Sequence, residues 1–134
     1  MESTVQRTAN ALRKLEHENP DFVEIRFDAM KSSSSISEIR DATDRPLIAA
    51  NRSKGQGGLF SGTEEMRMKT LTRAAEDAFD YVDVELNTKD VTKTVRQFKQ
   101  RGAGVIVSYH DKKGTPAEPA LDFILQREKG AGGD

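Results

Sequence analysis

The chain has 134 residues, 35% of them hydrophobic and 32% charged, with 21 basic and 22 acidic side chains and a formal net charge of -1. That is enough chain for one domain with its own core, and so even a balance gives no broad electrostatic drive toward nucleic acid or an anionic membrane. The lack of cysteine excludes disulfides and thiolate metal sites, and with no apolar run long enough to span a bilayer and no signal-type start after Met1, the expectation is a cytoplasmic protein.

Val5, Ala9, Leu12 and Leu15 recur at helical spacing, and Asn19-Pro20 predicts the stop of that helix. Over residues 22 to 28, Val23, Ile25 and Phe27 alternate with Glu24, Arg26 and Asp28, the period of a strand with two different faces. Residues 31 to 35 read as a polar loop leading to a helix over 36 to 42. Pro46 opens a second strand, 47 to 51, that ends at Arg52.

Residues 53 to 58 form a glycine-rich loop, and Ser61 with Glu64 makes a capping box for a helix over 63 to 79, with Met66, Leu71, Ala74, Ala75 and Ala78 as its buried stripe. The charged residues from Glu64 to Arg73 read as that helix's solvated face. A third strand spans 81 to 86. Val91, Val95 and Phe98 mark the next helix, which Gly102 and Gly104 end before a fourth strand over 105 to 110. Thr115-Pro116-Ala117-Glu118 predicts a last helix, with Leu121, Ile124 and Leu125 as its apolar face.

A helix is thus followed by four strand–helix units, with strand starts near residues 22, 46, 81 and 105, which implies a parallel sheet. An open doubly wound sheet is covered on both faces and has apolar strands, whereas a (β/α)8 barrel interior tolerates polar groups near its C-terminal mouth. Here Glu24, Arg26, Asp83, Glu85, Ser108 and His110 make up one face. Burying charge is costly unless it is paired or used, so these residues read as a site. The barrel class follows, with residues 1 to 134 as one partial domain: a complete barrel runs to about 250 residues, and four units make a half-barrel.

Asp83-Val84-Glu85-Leu86, eighteen intervening residues, and Val105-Ile106-Val107-Ser108-Tyr109-His110-Asp111 resemble the signature of type I 3-dehydroquinate dehydratase. Glu24-Ile25-Arg26 resembles that family's E-x-R strand, and Asn51-Arg52 followed by Gly57-Gly58 its arginine strand and glycine turn; the resemblance is collinear over residues 20 to 134. It implies a (β/α)8 lyase of the shikimate pathway that dehydrates 3-dehydroquinate to 3-dehydroshikimate through a lysine imine, without metal or organic cofactor. His110 stands at the position of the general base and acid. Glu24, Arg26 and Arg52 align with substrate contacts, and Asp28, Asp83 and Glu85 with the supporting charge network.

Two departures stand out. The family usually has glutamate, bonded to the catalytic histidine, where this chain has Gln56; an amide can orient an imidazole but not stabilise an imidazolium by charge. The imine lysine of the resemblance falls just beyond Asp134, as do a carboxylate-binding arginine and a mobile loop, and the first family strand would precede Thr4. The expectation is therefore an interior piece of the enzyme, inactive alone.

Other readings stay open at this level. Glu24 with Arg26 could be a buried ion pair that fixes strand register. The loop over 53 to 58 could cradle a phosphate, although it lacks the G-x-x-x-x-G-K pattern. Lys54, Lys112 and Lys113 could in principle replace the imine lysine, but read as solvated loop residues. A noncatalytic half-barrel would cover its open strand edges by pairing with a partner or itself, so a homodimer is expected. A different Schiff-base, aldolase-like barrel is the remaining rival.

Overall fold

A computed structural model describes residues 4–30 and 36–134; the loop expected over 31 to 35 lies outside the described residues. Helix α1 (Thr4–Leu15) precedes β1 (Val23–Arg26) and α2 (Ile36–Arg40), then β2 (Leu47–Ala50) and α3 (Glu64–Glu76). β3 (Tyr81–Glu85), α4 (Val91–Gln100), β4 (Gly104–Ser108) and α5 (Glu118–Ala131) complete the order. The strands pair in parallel in the order β1-β2-β3-β4, as expected from the repeated strand–helix pattern.

The registers Ile25↔Ala49, Ala49↔Val82 and Val82↔Val105 align one apolar row across the sheet. That row joins Val5, Ala9 and Leu12 of α1, Ile36 and Ile39 of α2, Leu71 and Ala74 of α3, and Val95 and Phe98 of α4 in one core. Because side chains alternate along a strand, Glu24, Arg26, Tyr81, Asp83, Glu85 and Ser108 fall on the other face. Helices α1 to α4 thus clad one face only, the arrangement of a barrel arc and not of a doubly wound sheet. Burial of each Val or Ile side chain contributes about 1.5–3 kcal/mol, so a one-residue slip that exchanged the apolar row for the charged one would be prohibitive.

Several boundaries differ from expectation. Thr63, not Ser61, caps α3, its hydroxyl accepting the Met66 N–H at 3.2 Å. Glu64 then points to Arg67 instead of back to the cap. Met66 is exposed, and Ala78 lies beyond the helix in the left-handed region, with φ 61°, where the chain turns into Phe79. At α5 the N-cap is Ala117, with no side-chain bond, and Thr115-Pro116 lie outside the helix. Leu121 and Leu125 are exposed together with Phe123, because α5 packs mainly on β4 and α4 and among the described residues buries little besides Ala131. No helix among the described residues is long and apolar enough to cross a membrane.

Candidate active site

The polar side chains gather where the strands end. Arg52, two residues past β2, is only 5% exposed; its Nη1 donates to Ser108 Oγ at 2.6 Å and its Nη2 to Asp83 Oδ2 at 2.8 Å. Ser108 in turn donates to Asp83 Oδ1 at 2.6 Å, so β2, β3 and β4 are tied together by one buried triad. Removing Arg52 or Asp83 would strand the other's buried charge, at a cost of about 3–5 kcal/mol. Below it, the Tyr81 ring lies over Gly104, where a Cβ would stand 2.5 Å from two ring carbons. Gly104 is therefore required by that ring, and not by the helix end alone.

Glu24 and Arg26 do not form a buried register pair. Both are about two-fifths exposed and only 4.0 Å apart at their nearest charged atoms, and Arg26 instead makes a two-point contact with Asp28 at 2.8 and 2.7 Å. The chain leaves the strand conformation at Phe27, entering a 3-10 turn (Phe27–Ala29) that turns Asp28 under the site. Asp28 also accepts the backbone N–H groups of Arg52, at 3.1 Å, and Leu59, at 2.9 Å. Burial alone would raise its pKa, but the Arg26 hydrogen bond, the two amides and the Arg26 charge outweigh that and lower it to about 2. The same bond raises the Arg26 pKa above its ordinary value.

The loop over 53 to 58 folds as a turn that spends three of its amides on its own carbonyls and the Ser53 N–H on Glu85, which disfavours a phosphate cradle. Gln56 N–H bonds to Ser53 O, Gly57 N–H to Lys54 O and Gly58 N–H to Ser53 O. A Cβ on Gly58 would stand 2.0 Å from the Arg52 carbonyl oxygen, so only glycine permits the chain to fold back this closely. Gln56 is buried, and its Oε1 accepts the backbone N–H of His110 at 2.6 Å. His110 itself is exposed two residues past β4, not on the strand as expected; the ladder ends at the pair Glu85↔Ser108. Lys54, Lys112 and Lys113 are exposed, and the Lys112 stem lies against Gly57.

Glu85, 4% exposed, holds the same turn by accepting the Ser53 N–H at 2.7 Å and the Ser53 hydroxyl at 2.8 Å. Its cation is Arg67, 3.7 Å away, a residue that the charged pattern of α3 assigned to solvent. Arg67 is 2% exposed and bonds through two nitrogens to Glu64, each at 2.7 Å. Burial opposes its charge, but Glu64, Glu85 and Asp83 more than compensate and raise its pKa; the Arg67 bond lowers that of Glu64. The one signal in the sequence was its place: Arg67, Leu71 and Ala74 share a helix face at i, i+4 and i+7. Among the described residues no group of three or more His, Cys, Asp or Glu side chains is arranged to hold a metal ion.

A parallel sheet clad on one face, with ionisable groups converging at its C-terminal end, defines part of a (β/α)8 barrel. Solved structures share this fold. The chain superposes on 3-dehydroquinate dehydratase from Enterococcus faecalis with a TM-score of 0.86 at 18% identity, covering 97% of this chain and 59% of that one. It superposes on the type I enzyme from Clostridium difficile with a TM-score of 0.82 at 23% identity, over 92% and 53%. The family model of type I 3-dehydroquinase matches residues 1–134, and the chain belongs to that family. The 3-dehydroquinate dehydratase of Methanobrevibacter smithii is 37% identical over 114 residues, 84% of this chain and 50% of the relative. The chain spans about half the length of the curated relatives it matches.

Proposed function

We propose that this chain carries the histidine-bearing half of a 3-dehydroquinate dehydratase site, which removes water from 3-dehydroquinate to give 3-dehydroshikimate. The observation that carries the reading is the convergence of Arg26, Arg52, Gln56, Asp83, Glu85 and His110 at one end of the parallel sheet, in a chain of this family. The substrate ketone forms an imine with a lysine that the resemblance places beyond Asp134. That imine withdraws electrons and acidifies the neighbouring C–H, whose proton His110 takes. The same imidazole, now protonated, delivers a proton to the hydroxyl leaving from the adjacent carbon, water departs, and a second water hydrolyses the product imine to release 3-dehydroshikimate and the free lysine.

The other residues hold the substrate. Glu24 and Arg26, both partly exposed, bind its hydroxyls, with Arg26 fixed in orientation by Asp28. Arg52 uses two N–H groups on Asp83 and Ser108, and the rest of its five donors supply the substrate contact. Gln56 holds the His110 backbone and leaves the imidazole free for the proton. The test is to express the full reading frame that contains these residues, follow formation of the conjugated enone from 3-dehydroquinate by ultraviolet absorbance, and trap the imine with borohydride. Enone formation with a trapped adduct supports the reading; a full-length protein that forms neither refutes it.

A further inference from the structure

We propose that Arg67 is a positioning residue for His110, acting from α3 through Glu85, Ser53 and Gln56; its catalytic meaning rests on the dehydratase reading. Arg67 is on the helix layer, outside the polar face of the sheet, yet nearly every bond it makes beyond its own helix ends at the C-terminal rim. Its Nη1 donates to the carbonyl of Asn51 at 3.2 Å, the residue before Arg52, and lies 3.7 Å from Glu85. Its Nη2 donates to the Thr88 hydroxyl at 2.8 Å, just past β3. The segments that follow β2 and β3 therefore share one buried cation.

The relay continues from Glu85. Both carboxylate oxygens hold Ser53, one by its N–H and one by its hydroxyl. While its O–H donates to Glu85, the Ser53 oxygen accepts the Gln56 N–H at 3.3 Å and starts the 3-10 turn (Lys54–Gln56). That turn presents the Gln56 side-chain oxygen to the His110 N–H at 2.6 Å. A leucine or methionine at position 67 would fill the space without the cost of a buried guanidinium, so packing alone gives no reason for arginine. The relay gives one: it fixes where the His110 backbone sits.

The test uses amide hydrogen exchange by nuclear magnetic resonance on this chain, with Arg67→Met and Arg67→Lys. In Arg67→Met, exchange at the His110 amide should rise about tenfold or more while the amides of Val82 and Val105 keep their protection, and Arg67→Lys should restore part of it. Unchanged exchange at His110 overturns the proposal, as does an equal rise at all three amides, which is general loosening. Should Arg67→Met fail to fold, Ser53→Ala leaves α3 and its ion pairs in place and must show the same rise at His110; no change there overturns the relay. Turnover by the full reading frame is scored separately. A fall in kcat in Arg67→Met that Arg67→Lys partly reverses supports positioning, and an altered His110 amide with unchanged kcat overturns it. A wild-type protein without turnover sinks the dehydratase reading while the exchange result still decides the relay.

Discussion

Replacing Asp28 by asparagine tests the electrostatic account of the site, because the residue's contacts and its titration make separate forecasts. The Asp28 side chain is 0% exposed and accepts four hydrogen bonds, two from Arg26 and one each from the amides of Arg52 and Leu59. An asparagine amide offers one oxygen, so its NH2 would face donors, and losing charged bonds worth about 1.5–3 kcal/mol each sets the cost near 2–4 kcal/mol at neutral pH. The carboxyl is held at about 2 in the fold against an ordinary 3.8. A folded value below the unfolded one stabilises the fold above the unfolded pKa, and that contribution is lost as pH falls from about 4 toward 2. The difference corresponds to somewhat over 2 kcal/mol, and to about 1–2 kcal/mol once solvent screening of its two-fifths-exposed partner Arg26 is allowed for. Urea unfolding of both proteins from pH 6 to pH 2 reads this directly: the penalty for Asp28→Asn should shrink by about 1–2 kcal/mol on acidification. A penalty that stays flat across that range refutes the assignment of Asp28 as the ionised anchor.

In the full-length protein, His110→Ala should lower kcat by about 10²–10⁴ while borohydride still traps the imine, and unchanged turnover would remove His110 from the chemistry. Gln56→Glu keeps an oxygen for the His110 N–H, so steady-state rates should be unchanged or higher; a large loss would show that the backbone contact is not what position 56 supplies. Gly58→Ala forces a Cβ to within 2.0 Å of the Arg52 carbonyl oxygen and should destabilise the chain by about 1–3 kcal/mol in urea melts, with normal stability arguing against the close turn.

The four strand–helix units were legible because the strands alternate so plainly: Val23 and Ile25 against Glu24 and Arg26, and Val82 and Val84 against Asp83 and Glu85. Asp83 and Ser108 fell on one face by the same period, whereas Arg52 was expected beside them only from the family resemblance. What periodicity could not show was where pairing stops. Residues 105 to 110 read as one strand, but the last register pair is Glu85↔Ser108, closed by the Leu86 N–H on the Ser108 carbonyl, and His110 is carried out on the following segment. Arg67 was hidden for a different reason, since a charged residue on a helix is solvated unless the fold brings buried partners to it, and Glu85 and Thr88 lie far along the chain. Thr63 took the cap from Ser61 because hydroxyls stand at both positions, and only the backbone path selects between them.

The contacts of Asp134 bear on how a strand would align beside β4. Asp134 bonds to both sides of one residue of β4: its carboxylate accepts the Val105 N–H at 2.8 Å and its own N–H donates to the Val105 carbonyl at 2.8 Å. Lys99 of α4 bonds to the same carboxylate at 2.7 Å, and that bond lowers the Asp134 pKa. Asp134 therefore acts as a register pin, read from the edge strand and from the helix behind it at once. A fifth strand laid along β4 inherits an alignment already chosen, and a strand displaced by one residue would have to break three polar contacts before making any of its own. Strong acid, by protonating Asp134, would loosen the pin and permit misaligned pairing along that edge.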